Sequence, residues 1–288
     1  MQRVNMQPAI SLTITPSGQA CGASVTGLDL SAPLSKHTIV SLRAAWLAHH
    51  VLIFPEQEMS PTDLERFTLY FGTLRPEPFI APLPGHPHII PVKRNANETG
   101  PIFADTWHTD WSFQARPPIG TCLYSLTVPP IGGDTLFANQ HAALEAMPDT
   151  LRAKLEGRRA IHSGANSYAP NGTYSKIDAA NRGMVITPST EAHASTAHPI
   201  IKPHSETGRE ALFGTRGHIV GFEDMDEVQG KALLGELYRW QTRPEFQYRH
   251  KWQKNMLVMW DNRSLLHMAT GGYQGHDRLL HRTTIGPA

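Results

Sequence analysis

The chain has 288 residues and a formal net charge of +1, long enough to bury a full core and too weakly charged to argue for nucleic acid or an anionic membrane surface. Its only cysteines, Cys21 and Cys122, lack paired spacing, which excludes a disulfide framework and a thiolate zinc site and favours a reducing compartment. No secretory leader is evident from Met1 to Ile14 and no apolar run nears the ~20 residues of a spanning helix, so a cytoplasmic protein is expected, with no membrane or nucleic-acid partner and with homo-oligomerisation left open.

Taken in order, residues 10–14 alternate apolar and polar as a half-buried strand, and Gly27 to Leu30 reads as a short extended piece. Ile39, Val40, Leu42, Ala45 and Trp46 recur at helical spacing, and Val51 to Phe54 is a buried strand stopped by Pro55. Ser60-Pro61-Thr62-Asp63 opens a second helix that Gly72 is expected to stop. Strands are predicted at residues 88–92, 120–128 and 134–137, then a helix from His141 to Gly157 interrupted at Pro148. Residues 164–198 show little periodicity and are expected to form a lid or active-site loop, with disorder as the competing reading. Beyond them lie strands at 199–202, 211–213, 245–252, 256–260 and 278–284, with a helix at 227–241. The expectation is one strand-rich domain over residues 1–288, mainly β with flanking helices.

The chemistry-bearing stretch is Trp107-His108-Thr109-Asp110-Trp111-Ser112-Phe113. On an extended strand His108 and Asp110 would point the same way, their backbones about 6–7 Å apart, and one imidazole and one carboxylate could share a metal ion. Two histidines and one carboxylate on one octahedral face suit non-haem Fe(II) that activates O2. Sixteen histidines weaken any one of them as the third ligand. His267, at the end of an apolar segment, is a candidate ligand or an ordinary core histidine. In Arg278-Leu279-Leu280-His281-Arg282-Thr283-Thr284-Ile285, the two arginines share a strand face about 13 Å apart, a cationic row better suited to two anions than one. A solvated surface strand is the plainer alternative.

Together, Trp107-His108-Thr109-Asp110, Gly132-Gly133-Asp134-Thr135-Leu136, Trp260-Asp261-Asn262-Arg263 with His267, and Arg278 with His281-Arg282-Thr283 resemble the Fe(II)/2-oxoglutarate-dependent taurine dioxygenase family, which includes 2,4-dichlorophenoxyacetate dioxygenase. The resemblance spans most of the chain, and four motifs in order are far more specific than one His-x-Asp. It implies a double-stranded β-helix (jelly-roll, cupin-like) core. It also implies His108, Asp110 and His267 as catalytic iron ligands, and Thr135 and Arg278 on the distal carboxylate of the co-substrate 2-oxoglutarate. O2 is the second co-substrate. Decarboxylation to succinate and CO2 would accompany hydroxylation of a C–H bond in a small organic, anionic substrate. Because Asp110 is present, hydroxylation is expected over halogenation.

Arg282 matches an arginine that grips the substrate's sulfonate in the taurine enzyme. Departures surround it: Glu77 and Ala104 stand where that enzyme has a histidine and an asparagine, and Trp111 replaces a small aliphatic residue. Taurine is therefore not the expected substrate. A wider aromatic pocket is expected, with Trp111, Phe213 and Tyr168 or Tyr174, and Glu77 is placed to neutralise Arg282. A non-catalytic metal-binding jelly roll and a zinc-dependent hydrolase are the competing readings.

Overall fold

The computed structural model describes residues 12–176 and 182–287; the start of the first expected strand and part of the expected lid lie outside these residues. A large sheet runs in the order Thr13–Pro16, Ala23–Thr26, Val51–Phe54, Leu257–Asp261, Gly120–Thr127, Arg278–Gly286, Thr73–Leu74, with Ile90–Arg94 also pairing on Arg278–Gly286. A smaller antiparallel sheet of Gln247–His250, Thr135–Asn139 and Leu265–Ala269 faces it. The two form a jelly-roll core.

Period-two alternation explains why the large sheet is apolar on both faces. Val51, Ile53, Leu123, Val258, Trp260 and Leu280 point inward and pack with Phe137, Tyr248 and Leu265 of the small sheet. Their neighbours Leu52, Phe54, Cys122, Tyr124, Leu257 and Met259 point outward, against Leu42 and Trp46 of the Lys36–His49 helix and Leu64 and Phe67 of the Pro61–Leu69 helix. The second of these helices begins as the chain predicts. Ser35 accepts from the Thr38 amide, and Ser60 with Asp63 closes a capping box. The break at Pro148 separates Gln140–Glu145 from Asp149–Leu155.

Several expectations need correction. Gly27 to Leu30 is not a paired strand; the strand precedes it at Ala23–Thr26. The second helix ends at Leu69, and Gly72 serves close packing instead, since a Cβ there would lie 2.3 Å from the Gly286 carbonyl oxygen. Within residues 164–198 the chain forms helical turns at Ala165–Tyr168, Thr173–Lys176 and Thr190–His193, and ends in the strand Ser195–Pro199. That strand pairs with Arg159–Ser163, which pairs with Ile219–Phe222, and the Glu227–Gln241 helix covers this third sheet. The 159–163 and 219–222 strands are short and gave no periodic signal.

Gly120 begins the strand that supports the site described below. A Cβ there would meet Trp46 Cζ2 at 2.6 Å and the Trp260 carbonyl oxygen at 2.8 Å. Gly120→Ala is expected to destabilise the fold by about 1–3 kcal/mol through overpacking. A urea midpoint equal to that of the parent protein refutes this.

Candidate active site

The metal motif is not an extended strand. His108 forms a single antiparallel bridge with His267, the amide of each donating to the carbonyl of the other at 3.0 and 2.9 Å. Directly opposed residues project to the same side, so the bridge sets the two rings 4.2 Å apart. The backbone then turns, with Trp111 at φ 49, and the turn rather than strand alternation brings Asp110 to the pair. Asp110 Oδ1 lies 3.6 Å from His108 Nε2 and 3.7 Å from His267 Nε2.

Three supports aim these atoms. His108 Nδ1–H donates to the Thr106 carbonyl at 2.8 Å, leaving the Nε2 lone pair free. Asp110 Oδ2 accepts from Thr121 Oγ1 at 2.7 Å, which accepts from Asn262 Nδ2 at 2.9 Å; Asn262 Oδ1 in turn accepts from Trp260 Nε1 at 3.0 Å. This relay occupies one carboxylate oxygen and leaves Oδ1 facing the histidines. His267 lies against Trp260 and Phe137. Of the Asp261-Asn262-Arg263 motif, only Asn262 belongs to this relay. Asp261 and Arg263 instead pair with each other and tie the turn to His204 and Glu206.

The electrostatics suit a cation. Burial works against ionising Asp110, but His267, His108 and Arg282 outweigh it and hold the carboxyl well below the usual range. Burial pushes His267 down to about 3, keeping it neutral, the form that ligates metal. The three donor atoms lie within 4.8 Å of one another in a buried pocket. Adjacent corners of an octahedron with ~2.1 Å bonds are about 3 Å apart, so a small inward movement closes the set. An all-N/O donor set without thiolate fits ferrous iron.

Arg278 is 6% exposed, and its Nε has no hydrogen-bond partner. Among the described residues its guanidinium has no ion pair, and burial lowers its pKa. A buried cation without a counter-charge is costly unless an anion joins it. Arg278 shares a cavity with Thr135 and His267, floored by Leu123 and Trp260. Thr135 Oγ1 accepts from Trp252 Nε1 at 3.0 Å, so its own hydroxyl hydrogen remains to be donated. The Gly132-Gly133 turn before Thr135 has both residues at positive φ, and a Cβ on Gly132 would meet the Gly271 and Gly272 backbone at 2.6 Å.

Arg282 differs. It shares the inward face with Arg278, as the alternation predicts, but already has partners. Glu77 accepts from its Nε at 2.9 Å and from its second terminal nitrogen, while Asp110 Oδ1 lies 3.6 Å from the remaining one. Burial disfavours the Arg282 cation, but Glu77 and Asp110 outweigh it and raise its pKa. The expected substrate-anion grip is thus filled from within the chain.

The adjoining cavity runs from His108 and Asp110 past Arg282 to Phe103, Trp111, Tyr168 and Tyr174. Trp111 and Tyr168 stack at 5.3 Å, and Phe79 and Phe113 back them. Ala104, at φ 63, donates its amide to the Tyr174 hydroxyl. Phe213 must be removed from the expected pocket. It packs against His162, His198 and Lys202, because the Glu210–Leu212 strand carries it to the third sheet's side. Sequence reasoning missed His218, which lines the cavity and is bridged to His162 through the Ser112 hydroxyl. Nothing in its local sequence distinguishes it from the other histidines.

The family model for taurine catabolism dioxygenase TauD, TfdA family, matches residues 13–284. The chain belongs to the TauD/TfdA family. It is a non-haem iron dioxygenase, an oxidoreductase that uses Fe(II), 2-oxoglutarate and O2. Among curated relatives, the alkylsulfatase of Acinetobacter baylyi is 31% identical over 92% of this chain and 81% of its own length. The 2,4-dichlorophenoxyacetate dioxygenase of Cupriavidus pinatubonensis is 32% identical over 90% and 92%. A taurine dioxygenase structure from Burkholderia xenovorans superposes with a TM-score of 0.78 at 28% identity, covering 96% of this chain and 90% of that one. The structure of AAD-2 with Mn(II) and N-oxalylglycine gives 0.79 at 25% identity, covering 96% and 98%. Among the described residues, no helix of this dioxygenase is long and apolar enough to cross a membrane.

Proposed function

We propose that His108, Asp110 and His267 hold the iron of this dioxygenase, that Arg278 and Thr135 hold the distal carboxylate of 2-oxoglutarate, and that the substrate lies in the aromatic cavity beside them. The observation carrying this reading is the buried Arg278 guanidinium, without an ion pair among the described residues, in one cavity with His267. Bound there, Fe(II) with 2-oxoglutarate and O2 supplies the oxidising chemistry, giving succinate, CO2 and a hydroxylated C–H carbon. The residues do the rest. Arg278 offers a fork of N–H donors and Thr135 an O–H to one carboxylate, fixing the length and direction of the co-substrate. Trp111, Tyr168, Tyr174 and Phe103 exclude water from the reacting side and present flat apolar faces to a small organic molecule. Sulfate esters and aryloxy acids, named for the relatives, set the size range.

We read residues 1–288 as one domain, with Ser167, Tyr168 and Tyr174 as the lid over the cavity. Both cysteines are buried and free, which supports a cytoplasmic location.

The test is Arg278→Ala. Removing the cationic partner of a buried pair costs about 2–5 kcal/mol, so the 2-oxoglutarate requirement should rise roughly 30- to 1000-fold or more. Succinate release titrated against 2-oxoglutarate reads this directly, and an unchanged half-saturation removes Arg278 from the role.

A further inference from the structure

We propose that Glu77 is a specificity-determining residue: by filling the anion-binding fork of Arg282, it makes this dioxygenase select a substrate that presents an uncharged group at that end of the cavity. The proposal rests on the assignment of the iron and 2-oxoglutarate sites given above.

Three observations carry it. The first is the engagement of one edge of Arg282 by Glu77. Its Nε and one terminal nitrogen face the two oxygens of Glu77, and the other terminal nitrogen faces Asp110. The Nε edge that would grip a carboxylate or sulfonate bidentately is therefore occupied by Glu77. A substrate anion arriving from the cavity would find only the end of the guanidinium that Glu77 leaves, with the Asp110 carboxylate 3.6 Å from it.

The second is burial. The side chains of Glu77 and Arg282 are 1% and 5% exposed. Glu77 does not line the cavity; it sits behind Arg282 and acts through it. Breaking a buried ion pair leaves an uncompensated charge, so an incoming anion must offset the loss of Glu77 as well as its own dehydration.

The third is formal charge. Ferrous iron is balanced by the dianion 2-oxoglutarate, while Arg278 and Arg282 are balanced by Asp110 and Glu77. With Glu77 ionised the centre is neutral without any charge from the substrate, and an anionic substrate would leave it negative. Around Arg282 the walls are aromatic: Phe103 and Trp111 lie 5.5 and 5.8 Å from its guanidinium carbon. Such walls favour an aryl or alkyl group over a hydrated anion.

The test uses a matched pair of probes, phenoxyacetamide and phenoxyacetate, which are nearly isosteric and differ in charge. Each is titrated calorimetrically into the enzyme loaded with Mn(II) and N-oxalylglycine, then scored by succinate release from the Fe(II) enzyme with 2-oxoglutarate. The amide should bind at least about tenfold more tightly than the carboxylate in the parent protein, and Glu77→Gln should reverse the order. Tighter binding of phenoxyacetate to the parent protein overturns the proposal, as does an unchanged ratio in a folded Glu77→Gln. If Glu77→Gln does not fold, the ratio in the parent protein decides alone. If neither aryl probe binds, methanesulfonate decides, because it needs no shape match. Saturable binding to the parent protein that is lost in Arg282→Gln overturns the proposal; no binding to the parent upholds it. Failure of Mn(II) and N-oxalylglycine to load marks a failure of the site assignment itself, which also overturns this inference.

Discussion

Asp110→Ala is expected to lower iron-dependent turnover by at least about 10³-fold, beyond the ~10–100-fold that loss of an outer-sphere partner costs. Asp110 is the only carboxylate of the donor cluster and carries its negative charge. Two imidazoles 4.2 Å apart, with the Arg282 cation nearby, offer a divalent ion a poor site without it. The loss should also appear without catalysis. Mn(II) at a hundred times its dissociation constant stabilises a protein by about 2.7 kcal/mol, roughly 4–5 °C in a chain of this size. The parent protein should show that rise in a thermal melt and Asp110→Ala should not. Thr121→Val keeps the carboxylate but removes its hydrogen bond, and should fall in the ~10–100-fold range. Equal metal-induced rises in Asp110→Ala and the parent would remove Asp110 from the ligand set.

The second large effect concerns acid. Burial pushes His50 down to about 3, His162 to about 2 and His250 to about 4, in each case outweighing any nearby carboxylate. Unfolding restores an ordinary value near 6.5, so below that pH the unfolded chain takes up protons that the folded chain refuses. These groups therefore contribute stability that is present above pH 6.5 and is lost as pH falls toward their folded values. Each proton is worth about 1.4 kcal/mol per pH unit, so the three together cost about 4 kcal/mol per unit between roughly pH 6 and 4. Set against a typical total of 5–15 kcal/mol, this should unfold the protein within that window. His218 and His267, also pushed down to about 3, add to these, so urea midpoints measured from pH 7.5 to 5 should show uptake of at least about three protons, and about one fewer in His250→Gln. An uptake below one proton refutes the account.

Much of this protein is legible in the chain because its signals are local. The apolar runs Val51–Phe54 and Leu257–Asp261 and the alternation in Arg278–Gly286 follow from strand burial and geometry, and the Ser60 cap follows from the orphan amides of a helix. The short 159–163 and 219–222 strands are not legible, because their pairing is decided by the chain returning some 35–60 residues away. His108 and Asp110 were correctly brought together but for the wrong geometric reason. A left-handed turn at Trp111 does what strand alternation was expected to do.

By itself the sequence offered His108, Asp110 and His267 as candidate donors, and a jelly-roll core, through the motifs that carry the family resemblance, and it set the two arginines on one strand face through period-two spacing. Only the tertiary structure decided which arginine is free. Arg278 and Arg282 occupy equivalent positions on one strand face, four residues apart. Glu77 reaches Arg282 from 205 positions away, and no described acid reaches Arg278. A buried charge is governed by what lies within a few ångströms of it, and that neighbourhood exists only once the chain is folded.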